Sequence, residues 1–129
     1  RIAAYRSACA AAGIDIVAEM SGDYSYESGF GAVEAIGKAR PDAVFCTSDS
    51  MAMGVMDGLR REGRQPPTDY LLYGFDAVEK GNFAAYDISS VGFDRSALVA
   101  GILSFLRAPD EFPEAGLDIP TRFMSRSTG

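Results

Sequence analysis

Apolar residues fall into two patterns along this chain, short continuous runs and longer stretches with helical spacing. The short runs are rich in β-branched and aromatic residues and predict strands at 14–19, 43–47, 70–75 and 88–91, with an extended segment at 117–125. The longer stretches predict helices at 1–12, 25–39, 50–62 and 95–107. Strands that alternate with helices in this way predict an α/β fold, with a parallel sheet between two layers of helices.

Short polar residues stand where three of these helices begin. Ser25 is expected to cap the second helix and Asp94 the last one, because a side-chain oxygen at this position accepts a hydrogen bond from the first turn. The third helix has two candidate caps, Asp49 and Ser50. Aspartate is among the best capping residues, so capping is the favoured interpretation of Asp49.

Two predicted strands are followed by a carboxylate, Asp49 after the first and Asp76 after the second. In open α/β sheets the ligand crevice lies beyond the carboxyl ends of the strands. Asp76 is therefore a candidate ligand-binding residue, since an ionised carboxylate accepts from two neighbouring hydroxyls of a sugar or nucleoside. A turn or capping role for Asp76 is an equal alternative. Ser48 is a better candidate than its neighbour Asp49 to face the crevice.

Three other residues have side chains suited to a polyhydroxylated ligand. Arg1 carries a fork of donors for ligand oxygens, although a frayed terminus is the alternative. Tyr24 and Phe93 are predicted in a loop and at a strand end, where an aromatic face can stack on a sugar ring. Packing in the core or at its rim is the alternative for both aromatic residues.

Composition and charge exclude several classes of protein. The 129 residues are 47% hydrophobic, which suits one compact domain, and the net charge of −6 argues against direct contact with nucleic acid. No apolar run approaches the roughly 20 residues that span a bilayer. With no histidine and no CxxC pair, neither a metal site nor a thiol–imidazole catalyst is expected, and Cys9 and Cys46 are predicted to be reduced and buried. Common nucleotide-binding and hydrolase motifs are absent from the sequence, so neither an enzyme nor a cofactor is expected.

Several segments in series resemble the effector-binding region of the LacI/GalR transcriptional regulators, which share the type I periplasmic-binding-protein fold. The segments that carry the resemblance are RIAAYRSACAAAGI, GDYSYESGFGAV, the stretch from PDAVFCTSDSMAMG to YLLYGFD, ISSVGFD and IPTRFMSRST. The chain departs from the family pattern at Ser48, where asparagine is usual, and at Ala4, where glycine is usual. The positions that match ligand-facing residues of the family are Arg1, Tyr24, Ser48, Asp76 and Phe93.

The resemblance implies a sugar-sensing domain of a cytoplasmic transcriptional regulator. The effector would be a sugar or a similar small molecule, held in a cleft between two subdomains whose closure changes the affinity for DNA. A periplasmic sugar-binding protein for uptake is the alternative, and an α/β enzyme is a weaker one. Operator DNA would be contacted only through an N-terminal headpiece, which is expected to be missing from this chain together with the first subdomain.

The resemblance also implies an organisation within the chain. Residues 1–94 would form the C-terminal effector-binding subdomain, 95–107 the cross-over helix and 117–126 the returning strand. The cross-over helix has an apolar surface that is wide for a lone subdomain, so the isolated chain is expected to self-associate or to dock this helix elsewhere. The predicted homodimer surface consists of Met53, Met56, Phe83 and Ala84, with burial of the methionines inside the subdomain as an equal alternative.

Overall fold

A single sheet of four strands organises the protein, and the computed structural model describes residues 2–129. The spatial order of the strands is β1 (Ala43–Phe45), β2 (Leu71–Phe75), β3 (Ser89–Phe93) and β4 (Thr121–Met124). Strands β1, β2 and β3 are parallel, whereas β4 runs antiparallel to β3. The α/β class is confirmed. The sheet is mixed rather than wholly parallel, because the chain returns from the last helix in the opposite direction.

Five α-helices accompany the sheet in the described part of the chain: α1 (Ile2–Ala12), α2 (Tyr26–Gly31), α3 (Val33–Ala39), α4 (Asp49–Arg61) and α5 (Arg95–Arg107). Helix α5 has the predicted bounds, and Asp94 caps it by accepting a hydrogen bond from the Ala97 amide at 3.0 Å. Ser25 caps α2 as expected, through the Ser28 amide at 3.0 Å. None of the helices in residues 2–129 is long and apolar enough to cross a membrane.

The main core lies between one face of the sheet and α4. Val44 and Leu72 of the sheet are buried there with Val55 and Leu59 of α4. Side chains alternate along a strand, so Phe45 faces the other side of the sheet, where its ring stacks on Tyr5 of α1 with 4.7 Å between the ring centroids. Helices therefore reach both faces of the sheet.

Helix α2 packs closely against α4 because each contributes a glycine to the contact. A β-carbon on Gly29 would overlap the Met51 carbonyl, and one on Gly54 would overlap the Tyr26 carbonyl. The single helix predicted at 25–39 is wrong in one respect, since it breaks at Ala32 into α2 and α3. Gly29 and Gly31 lie in α2 just before the break, and glycine weakens a helix.

The strand predicted at 14–19 is not formed within the described residues, where this segment is exposed and has no ladder. Its β-branched residues raise strand propensity, but a strand also needs a partner backbone. The edge strand β1 pairs with β2 and leaves this segment unpaired. The prediction was wrong because composition alone does not supply the partner.

A buried polar cluster joins the tail, residues 126–129, to strands β2 and β3. The Thr128 hydroxyl donates to the Leu72 carbonyl at 2.7 Å and accepts from the Ser89 amide at 2.8 Å. The Ser89 hydroxyl accepts from the Arg126 amide at 2.8 Å, and the Arg126 guanidinium donates to the Ile88 carbonyl. These bonds hold the tail against β2 and β3.

Two expectations about surfaces have different outcomes. Met53 and Met56 of α4 are only 6% and 3% exposed and belong to the main core, so they provide no exposed surface for a partner, which corrects the expectation of an exposed pair. Helix α5, in contrast, has no buried residue, and its apolar side chains are exposed on several sides. Self-association through α5 stays a prediction.

Thr128→Val should lower the free energy of unfolding by about 1–3 kcal/mol, because the substitution removes a buried hydroxyl and leaves the Ser89 amide without its acceptor. Urea unfolding of the full-length protein measures this change. Thr121→Val is the matched control, since Thr121 is exposed on β4 and the change should stay within about 0.5 kcal/mol. Equal losses for both variants would contradict the structural role of the tail.

Candidate functional site

A concave surface of about 710 Å³ lies beyond the carboxyl ends of the first two strands. Its lining residues are Ile2, Ala3, Tyr24, Thr47 and Asp76. Thr47 follows β1 and Asp76 follows β2, so both stand at the edge of the sheet where α/β proteins bind ligands. The structure therefore brings together two of the predicted site residues, Tyr24 and Asp76.

Three of the five non-glycine residues with a positive φ in the described part of the chain lie at or beside this concave surface. Tyr24 has φ 67°, Asp76 φ 93° and Ala77 φ 49°, all in the left-handed region. A non-glycine residue with a positive φ costs about 1–2 kcal/mol, and such residues cluster at ligand sites where the surrounding structure holds them. The two side chains most suited to a sugar thus stand on strained backbone.

Ser48 supports the site from below. It is buried, caps α4 by accepting from the Met51 amide at 3.2 Å, and donates its hydroxyl proton to the Tyr24 carbonyl at 3.1 Å. The expectation that Asp49 or Ser50 caps this helix was wrong, because the helix already begins at Asp49. Direct contact between Ser48 and a ligand stays a prediction. Its observed bonds hold the backbone of Tyr24.

Asp49 is fully buried and lies directly beneath the loop that carries Asp76. One carboxylate oxygen accepts from the Val78 amide at 2.7 Å, and the other accepts from the Ser90 hydroxyl at 2.6 Å. Burial raises the pKa of Asp49, and the charge of Asp76 adds to that rise, while the hydrogen bonds from Ser90 and Val78 and the charge of Arg126 oppose it. Desolvation dominates this balance.

The sequence analysis missed Thr47 and Ser90. Thr47 stands between the end of β1 and the cap of α4, a position that only the true helix start reveals. Ser90 is fully buried in the middle of the sheet, where an apolar residue is usual. The signal in the sequence was Gly74 opposite it, since a β-carbon there would overlap the Asp49 carboxylate.

The remaining site candidates lie apart from the concave surface or outside the description. Phe93 is 41% exposed at the end of β3 and packs edge-on against Phe75, with 5.7 Å between the ring centroids. Arg1 falls outside the described residues. Phe83 is 53% exposed and Ala84 is also exposed, in the loop before β3. A ligand contact for Phe93 and an interface role for Phe83 and Ala84 stay predictions.

Metal-ligating clusters and reactive thiols are the other groups that could carry chemistry in this part of the chain. Among residues 2–129, no three His, Cys, Asp or Glu side chains are grouped in a way that could hold a metal ion. Both cysteines are buried, and burial raises the pKa of the Cys46 thiol to about 12. The Cys46 thiol therefore stays protonated at neutral pH, a form that is a poor nucleophile.

Comparisons with known proteins agree with the fold. A family model described as a periplasmic binding protein-like domain matches residues 1–128. The ribose operon repressor of Escherichia coli (strain K12) is 33% identical over 95 residues, which are 70% of this chain and 29% of that protein. The chain thus spans less than a third of the length of this curated relative.

Solved structures resemble the chain over almost its whole length. A complex of the transcriptional regulator CelR with cellobiose matches with a TM-score of 0.82 and 28% identity, over 97% of this chain and 40% of that one. The Lac repressor dimer bound to operator and the anti-inducer ONPF matches with a TM-score of 0.89 and 23% identity, over 99% of this chain and 40% of that one. At that identity the second match shows the fold alone.

Ala77→Gly should leave the free energy of unfolding unchanged or raise it by up to about 1 kcal/mol, because glycine adopts a φ of 49° without steric cost. Urea unfolding of the full-length protein provides the measurement. The same substitution at the exposed helical residue Ala100 should lower that free energy by about 1 kcal/mol. A comparable loss at both positions would show that the loop after Asp76 is not strained.

Proposed function

The chain belongs to the family of periplasmic binding protein-like domains, and on that premise we propose that it is the effector-binding part of a LacI-type transcriptional regulator that senses a sugar. The observation that carries the proposal is the concave surface at the carboxyl ends of β1 and β2, where Asp76 and Tyr24 stand on strained backbone. The names of the relatives, a ribose operon repressor and a regulator in complex with cellobiose, favour regulation over uptake or catalysis.

The side chains at this surface suit a polyhydroxylated ligand. The Asp76 carboxylate can accept from two vicinal hydroxyls, and such charge-assisted bonds contribute about 1.5–3 kcal/mol each where water is excluded. Tyr24 is 59% exposed, so the face of its ring is available to stack on a sugar. Thr47 adds a hydroxyl at the same edge.

The proposed mechanism is allosteric. This chain would supply one wall of a cleft, and the first subdomain of the full-length protein would supply the other. Sugar binding would favour one hinge state and so change the affinity of an N-terminal headpiece for operator DNA. As a regulator of transcription the protein would act in the cytoplasm, and its DNA contacts would lie outside this acidic chain.

We also propose that the full-length protein is a homodimer. Phe83 and Ala84 provide exposed surface in the loop before β3. Met53 and Met56 are buried in the core and are not part of this proposed interface. One solved relative in this fold, the Lac repressor, is described as a dimer.

Two measurements on the full-length protein test the proposal. D-ribose or cellobiose should raise the melting temperature in proportion to the logarithm of its concentration, because a ligand that binds only the folded state stabilises it by mass action. The same sugar should change the retention of the protein on DNA from its own promoter region. A panel of hexoses, pentoses and disaccharides that produces neither effect would refute the sugar-sensing role.

Asp76→Asn should weaken binding of the sugar found in that panel by more than about tenfold, because it replaces a charged acceptor of two hydroxyls with a neutral amide. Isothermal titration calorimetry gives the dissociation constant. Asp110→Asn is the matched control, since Asp110 is exposed beyond α5 and away from the concave surface, and its affinity should stay at the wild-type value. If both variants bind equally well, Asp76 is not the hydroxyl acceptor.

A further inference from the structure

We propose that Asp49 is the positioning residue of the ligand site, which fixes the backbone that follows Asp76 and so sets where the Asp76 carboxylate points. The inference rests on the proposed function for the importance of Asp76, while the geometry that carries it belongs to the free protein. Asp49 itself is fully buried and reaches no ligand. It acts through the loop.

The backbone amides of Ala77 and Val78, the two residues after Asp76, are both linked to the Asp49 carboxylate. The Val78 amide bonds to it directly, and the Ala77 amide is linked through the Ser90 hydroxyl. The Val78 amide donates to Asp49 Oδ2 at 2.7 Å. The Ala77 amide donates to Ser90 Oγ at 3.2 Å, and this hydroxyl donates to Asp49 Oδ1 at 2.6 Å. The Asp49 carboxylate therefore accepts directly from Val78 and holds the hydroxyl that accepts from Ala77.

The amide of Asp76 is held separately, by the sheet. It donates to the Val91 carbonyl at 2.8 Å, which continues the pairing of β2 with β3. The Asp76 backbone is thus fixed before the residue by the ladder and after it by Asp49. The two amides after Asp76 depend on the side chains of Asp49 and Ser90. The Arg95 guanidinium adds a further contact from outside, since it donates to the Ala77 carbonyl at 3.2 Å.

Glycines clear the space that this arrangement needs. A β-carbon on Gly74 would overlap Asp49 Oδ1, and one on Gly81 would stand 3.4 Å from Asp49 Oδ2. A β-carbon on Gly92 would meet the Ala77 side chain at 2.5 Å. Strands β2 and β3 therefore make room for the carboxylate and for the loop above it, whereas the 3.4 Å distance at Gly81 is an ordinary contact.

The loop needs such support because its conformation is unfavourable by itself. Asp76 and Ala77 are both in the left-handed region, at φ 93° and 49°. Two consecutive residues of this kind persist only where the surroundings determine them. Without the Asp49 acceptors the loop would relax toward ordinary φ values, and the Asp76 carboxylate would move from the concave surface.

The neighbouring strand residue offers a matched control for this role. Ser89 and Ser90 are both fully buried on β3, but they face opposite sides of the sheet. The Ser89 hydroxyl bonds to the carbonyls of Arg126 and Gly129 in the tail, whereas the Ser90 hydroxyl bonds to Asp49. Serine-to-alanine changes at the two positions each remove one fully buried hydroxyl. Only the change at Ser90 removes a hydroxyl that contacts the loop after Asp76.

Hydrogen exchange of the full-length protein without any ligand provides the decisive readout. We expect Ser90→Ala to speed the exchange of a peptide containing Ala77 and Val78 by about fivefold or more, the change expected from the loss of one hydrogen bond. Ser89→Ala should leave that peptide at the wild-type rate and affect peptides of the tail instead. A peptide from the middle of α4 reports global opening in both variants.

Asp49→Asn adds a test by conservative replacement. Its amide oxygen can still accept from Val78 and its amide nitrogen can donate to Ser90, so exchange of the loop should stay within about threefold of wild type, since two neutral bonds replace the two charged ones. Asp49→Ala, where it folds, should speed loop exchange more than Ser90→Ala. Equal acceleration of the loop by Ser89→Ala and Ser90→Ala would overturn the positioning role.

Sugar binding then links the loop to function. With D-ribose or cellobiose as the probe, Ser90→Ala should raise the dissociation constant about fivefold, and Ser89→Ala should leave it unchanged in the folded fraction. If neither sugar binds the wild-type protein, the assignment of these two sugars fails, and the exchange pattern still decides whether Asp49 holds the loop. If a sugar binds all variants equally while the loop loosens, Asp49 does not position the site.

Discussion

The burial of one carboxylate, that of Asp49, is the constraint on which the site end of this fold depends. Removing a carboxylate from water costs several kcal/mol unless its oxygens accept hydrogen bonds. Here it stands in the first turn of α4, where the helix dipole favours negative charge, and it accepts from Val78 and Ser90. The raised pKa of Asp49 shows that desolvation still exceeds these gains. The burial of the Asp49 carboxylate lowers stability in this region, while its hydrogen bonds hold the loop after Asp76 in one conformation.

Two consecutive serines of strand β3 have different structural roles. Its residue Ser90 points toward Asp49 and the loop of Asp76, whereas its neighbour Ser89 points toward the tail at Thr128 and Arg126. The first connection serves the concave surface and the second anchors the end of the chain. The alternation of side chains along a strand makes this division possible, because successive residues face different layers.

The exposed surfaces fit the proposed role of this chain as one half of a two-part binding domain. The concave surface offers a single wall, with an exposed aromatic ring at Tyr24 and a carboxylate at Asp76. Helix α5 carries apolar side chains without a buried face. The chain matches 29% of the length of a curated relative, and the proposed first subdomain would be the part that covers such surfaces.

Sequence alone determined the α/β class, the bounds of α5 with its Asp94 cap, the family, and the two residues that meet at the concave surface. These follow from local patterns and motif spacing, which need no knowledge of neighbours. Tertiary structure decided which oxygen caps α4, why 14–19 stays unpaired, and that Met53 is core. It also decided that Asp49 lies beneath the loop of Asp76, because partners far apart in sequence create the burial and the hydrogen bonds that define each of these roles.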